Sequence, residues 1–215
     1  MRQEIAKQIH AIKEYFAKGK RGYIYISQYK DKKYIIKEKN PDSTAEGTIE
    51  NESRSNKELN KIGIGPKFYY KDPNNKYLIR EYVEGTDIYD LIKENKDSNI
   101  KKKLKKIILN ILEQTRKLDE TGINKLELTR PHKDILITKK NNPVMIDFER
   151  CKQTEKPKNV NQFCQFIANG KFYFKLKELG IKINSEKLLK LATEYKQNNY
   201  DKNKFKEIKK YLKDV

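Results

Sequence analysis

Tryptophan is absent from this sequence, and cysteine and histidine occur only twice each among its 215 residues. Cys151 and Cys164 do not form a CxxC pair, so neither a zinc site nor a disulfide framework is indicated, and a reduced, cytosolic setting is expected. No apolar run reaches the length of a membrane span, and the N-terminal segment lacks the apolar core of a signal peptide. A soluble, cytoplasmic protein with no membrane partner is therefore expected. Arg- and aromatic-rich recognition stretches, internal repeats and low-complexity linkers are also missing.

Charge is what the chain has in excess. Apolar residues make up 36% and charged residues 37%, so a fold of this length has thin cores and a heavily solvated surface. The net charge of +19, from 49 Lys and Arg against 30 Asp and Glu, favours polyanions: RNA, nucleotides or an acidic protein surface. Most of the excess is lysine spread along the chain, with short clusters such as KKKLKK at 101–106. Dispersed lysine also serves solubility alone, so composition leaves RNA binding open.

Periodicity divides the chain near Gly85. Residues 1–17 read as a helix, with Ile5, Ile9, Ile12 and Phe16 three or four apart, ending at Gly19. Residues 23–27 and 34–37 then alternate as a hairpin around a DKK turn, 49–62 read as a helix stopped by Gly63 and Pro66, and 67–70 and 77–82 form two strands joined by DPNN. Beyond Gly85 the pattern turns helical: 87–95, then 99–118 with an apolar stripe, and later 159–168, 171–178, 185–197 and 202–213. A second hairpin interrupts this at 134–138 and 143–147. The expected organisation is two lobes, 1–84 and 85–215.

Four features carry candidate chemistry. Lys37 ends an apolar strand that follows the glycines of GKRGYIYI (Gly19 and Gly22), an arrangement able to lay backbone amides and an ammonium over phosphates, although a snorkelling lysine looks the same. Glu50 and Glu52 lie in the first turn of the next helix, where an inward glutamate can hold Lys37 and an outward one merely suits the helix dipole. The extended segment YLIREYVEG at 77–85 offers main-chain donors and acceptors to a flat base. Glu127, Asp134 and Asp147 gather in the hairpin region. Asp134 starts one strand and Asp147 ends the other, so these two can approach each other around a cation, and oxygen ligands beside phosphate favour magnesium.

This order resembles the protein-kinase fold in its small, atypical form, over most of residues 15–150. GKRGYIYI stands where a glycine-rich loop lies, and YIIK resembles the VAIK strand. ENESRSNKELNKIGIGPKFYY resembles the αC helix and next strand of the RIO kinases and of the kinase of the KEOPS tRNA-modification complex. LIREYVEG resembles the hinge, with Arg80 at the gatekeeper place, while DILI and IDFE resemble the metal-binding Asn segment and the DFG segment. The likeness is greatest to a small archaeal group described as predicted Ser/Thr protein kinases.

The resemblance implies an α+β, two-lobe protein-kinase-like fold with a small antiparallel-sheet N-lobe and a mainly helical C-lobe. It further implies an ATP- and Mg2+-dependent phosphotransferase acting on a hydroxyl of a protein or small molecule. Lys37 would contact phosphates near Gly19 and Gly22, Glu52 would orient it, and the backbone of Glu81 and Val83 would face adenine. Asp147 and Asp134 would bind magnesium, and Glu127 would act as base. The departures are equally specific. KLEL replaces the HRDL or HGDL of such kinases, and Glu127 stands seven positions before Asp134 where the family pattern has five. Glu149 replaces the DFG glycine, as is common in choline- and aminoglycoside-type kinases, which makes a small-molecule kinase one alternative. A pseudokinase, or a nucleotide-binding module associated with RNA or a protein complex, is the other.

Overall fold

β-Branched and aromatic residues at alternating positions build the first part of the chain into one antiparallel sheet of five strands. The computed structural model describes residues 1–215 except Lys20, 45–47, 95–98 and Arg130, and the side chains of Glu94 and Glu127 also lie outside the description. It divides into two units: Met1–Glu84 together with Met145–Cys151, and Gly85–Val144 together with Lys152–Val215.

In the first unit, helix α1 (Gln3–Ala11) precedes β1 (Glu14–Lys18), β2 (Gly22–Tyr29) and β3 (Lys32–Lys39). Helix α2 (Thr48–Lys61) follows, then β4 (Phe68–Lys71) and β5 (Tyr77–Glu81). The strand order is β1-β2-β3-β5-β4. Strand β3 is central and buried on both faces from Tyr34 to Lys37. Tyr34 and Ile36 join Tyr77 and Ile79 of β5 and Ala6 and Ile9 of α1 in one core cluster. Ile35 and Lys37 therefore point to the opposite face, the one met by α2. In α2 the buried positions Ile49, Glu52, Ser53, Asn56 and Leu59 recur at helical spacing.

The N-terminal helix is shorter than its periodicity suggests. It ends at Ala11, and Tyr15 pairs with Tyr25 as part of β1 rather than continuing the helix. Ile12 and Phe16, read as the end of the apolar stripe, are 50% and 59% exposed. Their spacing matched a helix by coincidence, and pairing with β2 prevailed over local periodicity.

The second unit carries α3 (Ile88–Glu94), α4 (Ile100–Glu120), α5 (Asn159–Ala168), α6 (Gly170–Glu178), α7 (Ser185–Gln197) and α8 (Lys202–Asp214). Helix α5 packs on α4, α6 and α7, and α8 packs on α4 and α7. Leu104, Ile107, Ile108, Ile111, Leu112 and Leu118 of α4 face that core. Five short strands edge the helices: β6 (Gly85–Thr86), β7 (Ile123–Lys125), β8 (Ile135–Thr138), β9 (Pro143–Met145) and β10 (Cys151–Gln153). They form a three-stranded sheet, β6-β8-β9, and a two-stranded one, β10-β7. Strand β9 stops at Met145, so Asp147 lies beyond the strand it was expected to end; Asp134 likewise precedes β8. Among the described residues no helix is long and apolar enough to cross a membrane.

Candidate functional site

Strand pleat and helical period bring the first two residues of the site together. Lys37 faces α2, and in the first turns of α2 it is Glu52 that turns inward while Glu50 is exposed. The Lys37 ammonium lies 2.6 Å from Glu52 Oε2, in a setting where Lys37 is 8% and Glu52 1% exposed. Lys37 Nζ also donates to Asp147 Oδ1 at 3.2 Å and to Glu149 Oε2 at 2.9 Å. Burial alone would lower the lysine pKa, but the three carboxylates, Glu52 foremost, outweigh it and hold the ammonium above the ordinary lysine range.

Asp147 and Glu149 are aimed at Lys37 by the short segment after β9. Asp147 adopts a left-handed backbone, φ 61°, which is uncommon for a residue with a side chain and costs about 1 kcal/mol. Phe148, 1% exposed, anchors the segment by packing against Gly65, where a Cβ would stand 2.5 Å from the Phe148 ring. Gly65 also has φ +82°, so this glycine of GIGP is fixed by conformation and by space. Asn51 of α2 donates its amide to the carbonyls of Glu149 and Cys151, and Arg21 Nη1 donates to Glu149 Oε1 at 2.5 Å.

Glu149, Arg21 and Asn51 thus belong to the site without having been assigned to it from the sequence. Only Glu149 had a signal, its acidic character two places after Asp147; Arg21 and Asn51 are drawn in by tertiary contacts alone.

The donor set of Glu52, Asp147 and Glu149 has carboxylate oxygens within 4.8 Å of one another. An all-oxygen set of this kind suits a hard divalent cation, and it offers nothing to a thiophilic metal. Glu52 Oε1 is buried without a hydrogen-bond partner among the described residues. Three carboxylates against two cations, Lys37 and Arg21, leave a local charge of 2 − 3 = −1. A divalent ion alone would reverse that sign, so its binding is favoured when it arrives with an anion.

The other expected residues are placed as follows. Gly22 pairs with Lys39, and a Cβ there would meet the Glu38 carbonyl at 2.3 Å, so strand pairing by itself requires this glycine. Gly19 N–H donates to the Gly22 carbonyl at 2.8 Å and closes the turn between β1 and β2. Arg80 lies opposite Ile35 and next to Leu78, the partner of Lys37, so it shares their sheet face; it is 7% exposed and its Nε is without a partner among the described residues. The Glu81 N–H is committed to the Lys67 carbonyl at 2.8 Å, whereas the backbone of Val83 makes no hydrogen bond among the described residues.

Asp134 belongs to the second unit, after a 3-10 turn at Pro131–Lys133, and accepts from Lys125 Nζ at 3.4 Å. Lys125, the lysine of KLEL, is fully buried. It is pinned through its backbone N–H by Asn159 Oδ1 at 2.8 Å, while the Asn159 amide donates to Asp119 at 2.8 Å and to the Ile123 carbonyl at 2.7 Å. Asp119 also accepts from the N–H groups of Asn159 and Val160 and so caps α5. Burial nevertheless pushes its carboxyl pKa up, against those bonds. Glu127 lies in a second 3-10 turn, Leu126–Thr129, with its side chain outside the described residues. His132 stacks edge-on against Tyr89 with centroids 5.4 Å apart.

Comparison with known proteins adds no family to this geometry: no protein-family model and no curated protein matches the chain.

Proposed function

We propose that the chain binds ATP with magnesium and transfers the γ-phosphoryl group to a hydroxyl, in the manner of a small atypical kinase. The observation that carries this reading is the buried Lys37 ammonium held 2.6 Å from the helix carboxylate Glu52 with Asp147 beside it. A lysine kept charged and fixed on a sheet face can hold phosphate oxygens, and phosphoryl transfer rests mainly on such positioning and charge neutralisation. Asp147, whose side chain is 43% exposed, and Glu149 are the carboxylates suited to a magnesium ion. When bound, that ion would neutralise charge on the phosphates. Lys37 would then exchange its contact with Glu149 for a phosphate oxygen while Glu52 keeps its orientation. Gly19 and Gly22 would let the β1–β2 turn approach the phosphates, Val83 would offer backbone atoms to the base, and Glu127 would accept the hydroxyl proton. The phosphate acceptor is a protein or small-molecule hydroxyl.

A second reading, a nucleotide-binding module without transfer chemistry, draws on the Lys125–Asp134 pair, which engages the carboxylate that the kinase resemblance assigns to metal beside Asp147. Two measurements separate the readings. ATP with magnesium should raise the melting temperature of the wild type, and Asp147→Asn, altering a part-exposed side chain, should remove the shift; no shift at millimolar ATP would sink both readings. Incubation with γ-labelled ATP and a panel of protein and small-molecule hydroxyls then reports transfer. Loss of transfer but not of the thermal shift in Glu127→Gln supports the enzyme, whereas a shift without any transfer supports the binding module.

A further inference from the structure

The lysines of the chain differ in whether a carboxylate lies beside them. In several helices lysines are neutralised locally: Lys61 by Glu58, Lys175 by Glu178, Lys204 by Glu194 and Glu207, and Lys209 by Glu113. The N-terminal half of α4 differs. Helical period sends Leu104, Ile107 and Ile108 into the core and turns the lysines between them outward. Together with the C-terminal end of α8, this face forms a groove of about 890 Å³. It is lined by Lys102, Lys103, Lys105, Lys106 and Lys213, whose ammonium groups have neither ion pair nor hydrogen bond among the described residues. Lys101, also in the lining, donates to the Gly180 carbonyl at 2.6 Å. Among the described residues no carboxylate side chain lines the groove, and Leu109 is the apolar residue of the lining, beside the aliphatic stems of the lysines.

We propose that this groove is a docking site for a nucleic-acid strand, held through its phosphates. Five unneutralised charges in one concavity create a positive field that a chain of regularly spaced anions matches, releasing its counterions on binding. The lining is lysine without arginine, so it meets phosphates as a row of point charges, without the bidentate fork that fixes an anion in one orientation. A lipid surface would also need apolar side chains beside the lysines. Among the described residues the exposed large apolar side chains are Met1, Ile12, Tyr15, Phe16 and Phe174, and none of them lines the groove. Among the described residues no aromatic ring lines the groove to stack bases, so the binding is indifferent to sequence. This site is independent of the Lys37 cluster and of any reaction there.

The test is fluorescence anisotropy of a labelled single-stranded RNA of about 20 nucleotides over a salt series from about 50 to 200 mM, with three proteins. These are the wild type, the groove variant Lys102→Gln/Lys105→Gln/Lys106→Gln, and the charge-matched control Lys61→Gln/Lys175→Gln/Lys204→Gln. Each phosphate contact on a single strand contributes roughly 0.7 to the slope of log affinity against log salt. The groove variant should therefore lose about 2 from that slope and about tenfold or more in affinity. The control should stay close to the wild type. Equal losses in the two variants would overturn the proposal, because net charge and not the groove would then be responsible. Absence of RNA binding, or tighter binding to polyglutamate or to phosphatidylserine vesicles than to RNA, would overturn it as well.

Discussion

Replacing Lys37 with Met keeps an unbranched side chain, one atom shorter, and removes the ammonium that faces Glu52, Asp147 and Glu149 together. At 2.6 Å, and with an effective dielectric constant of about 20, the attraction to Glu52 is roughly 6 kcal/mol before desolvation. Desolvating both ions offsets much of that gain. Removing one partner does not recover the desolvation of the other: Glu52 stays 1% exposed, and carboxylates within 4.8 Å of each other repel by about 3 kcal/mol on the same scale. The expected loss is about 3–5 kcal/mol at neutral pH, read from urea unfolding followed by far-UV circular dichroism. The loss should also depend on pH. The penalty is the repulsion and desolvation of uncompensated negative charge, which acid relieves by protonating the carboxylate cluster. The gap to wild type should narrow from about pH 7 to about pH 5, and adding Glu52→Gln should recover at least about 1 kcal/mol at neutral pH. A loss below about 1 kcal/mol that is unchanged at pH 5 would refute the reasoning, since the ammonium would then not be compensating buried charge.

Three further outcomes are expected. Gly65→Ala should cost about 3 kcal/mol or more, because a Cβ meets the Phe148 ring at 2.5 Å and φ is +82°; Gly63→Ala, with φ +74° and nothing within 4 Å, should cost about 1 kcal/mol in the same unfolding assay. Asn159→Ala should cost about 2–4 kcal/mol by thermal or urea unfolding, because it removes the side-chain bonds to Asp119, the Ile123 carbonyl and the Lys125 N–H in a buried site. Burial pushes the Glu38 pKa up, but hydrogen bonds from Lys13 and His10 more than reverse this and hold it below the usual 4.5. Its stabilisation is therefore complete above that value and lost as pH falls through the folded pKa, and a melting series should show wild type and Glu38→Gln converging at the acid end.

Much of the element order was legible because it depends on local periods. The stripe of α4, the alternation in β2 and β3, and the stops at Gly63 and Pro66 repeat over enough residues to stand out. Failures came where a pattern was short. Residues 14–16 fit a helix by spacing and were claimed by β2 as part of an edge strand. Strands β6, β7 and β10, of two or three residues, are too brief to show a period and exist only because a partner strand lies beside them.

Within the site, sequence determined which residues had an inward direction. The pleat of β3 commits Lys37 to the face opposite Tyr34 and Ile36, and the period of α2 turns Glu52 inward and Glu50 outward. Only the tertiary structure decided what surrounds them. Asp147 reaches Lys37 by a left-handed turn beyond its strand, Glu149 is held by Arg21 and Asn51 across about a hundred residues of chain, and Asp134 is engaged by Lys125. A period states where a side chain points, since it is a property of neighbouring residues. Which charge meets which depends on contacts between segments far apart in sequence, and these no local pattern records.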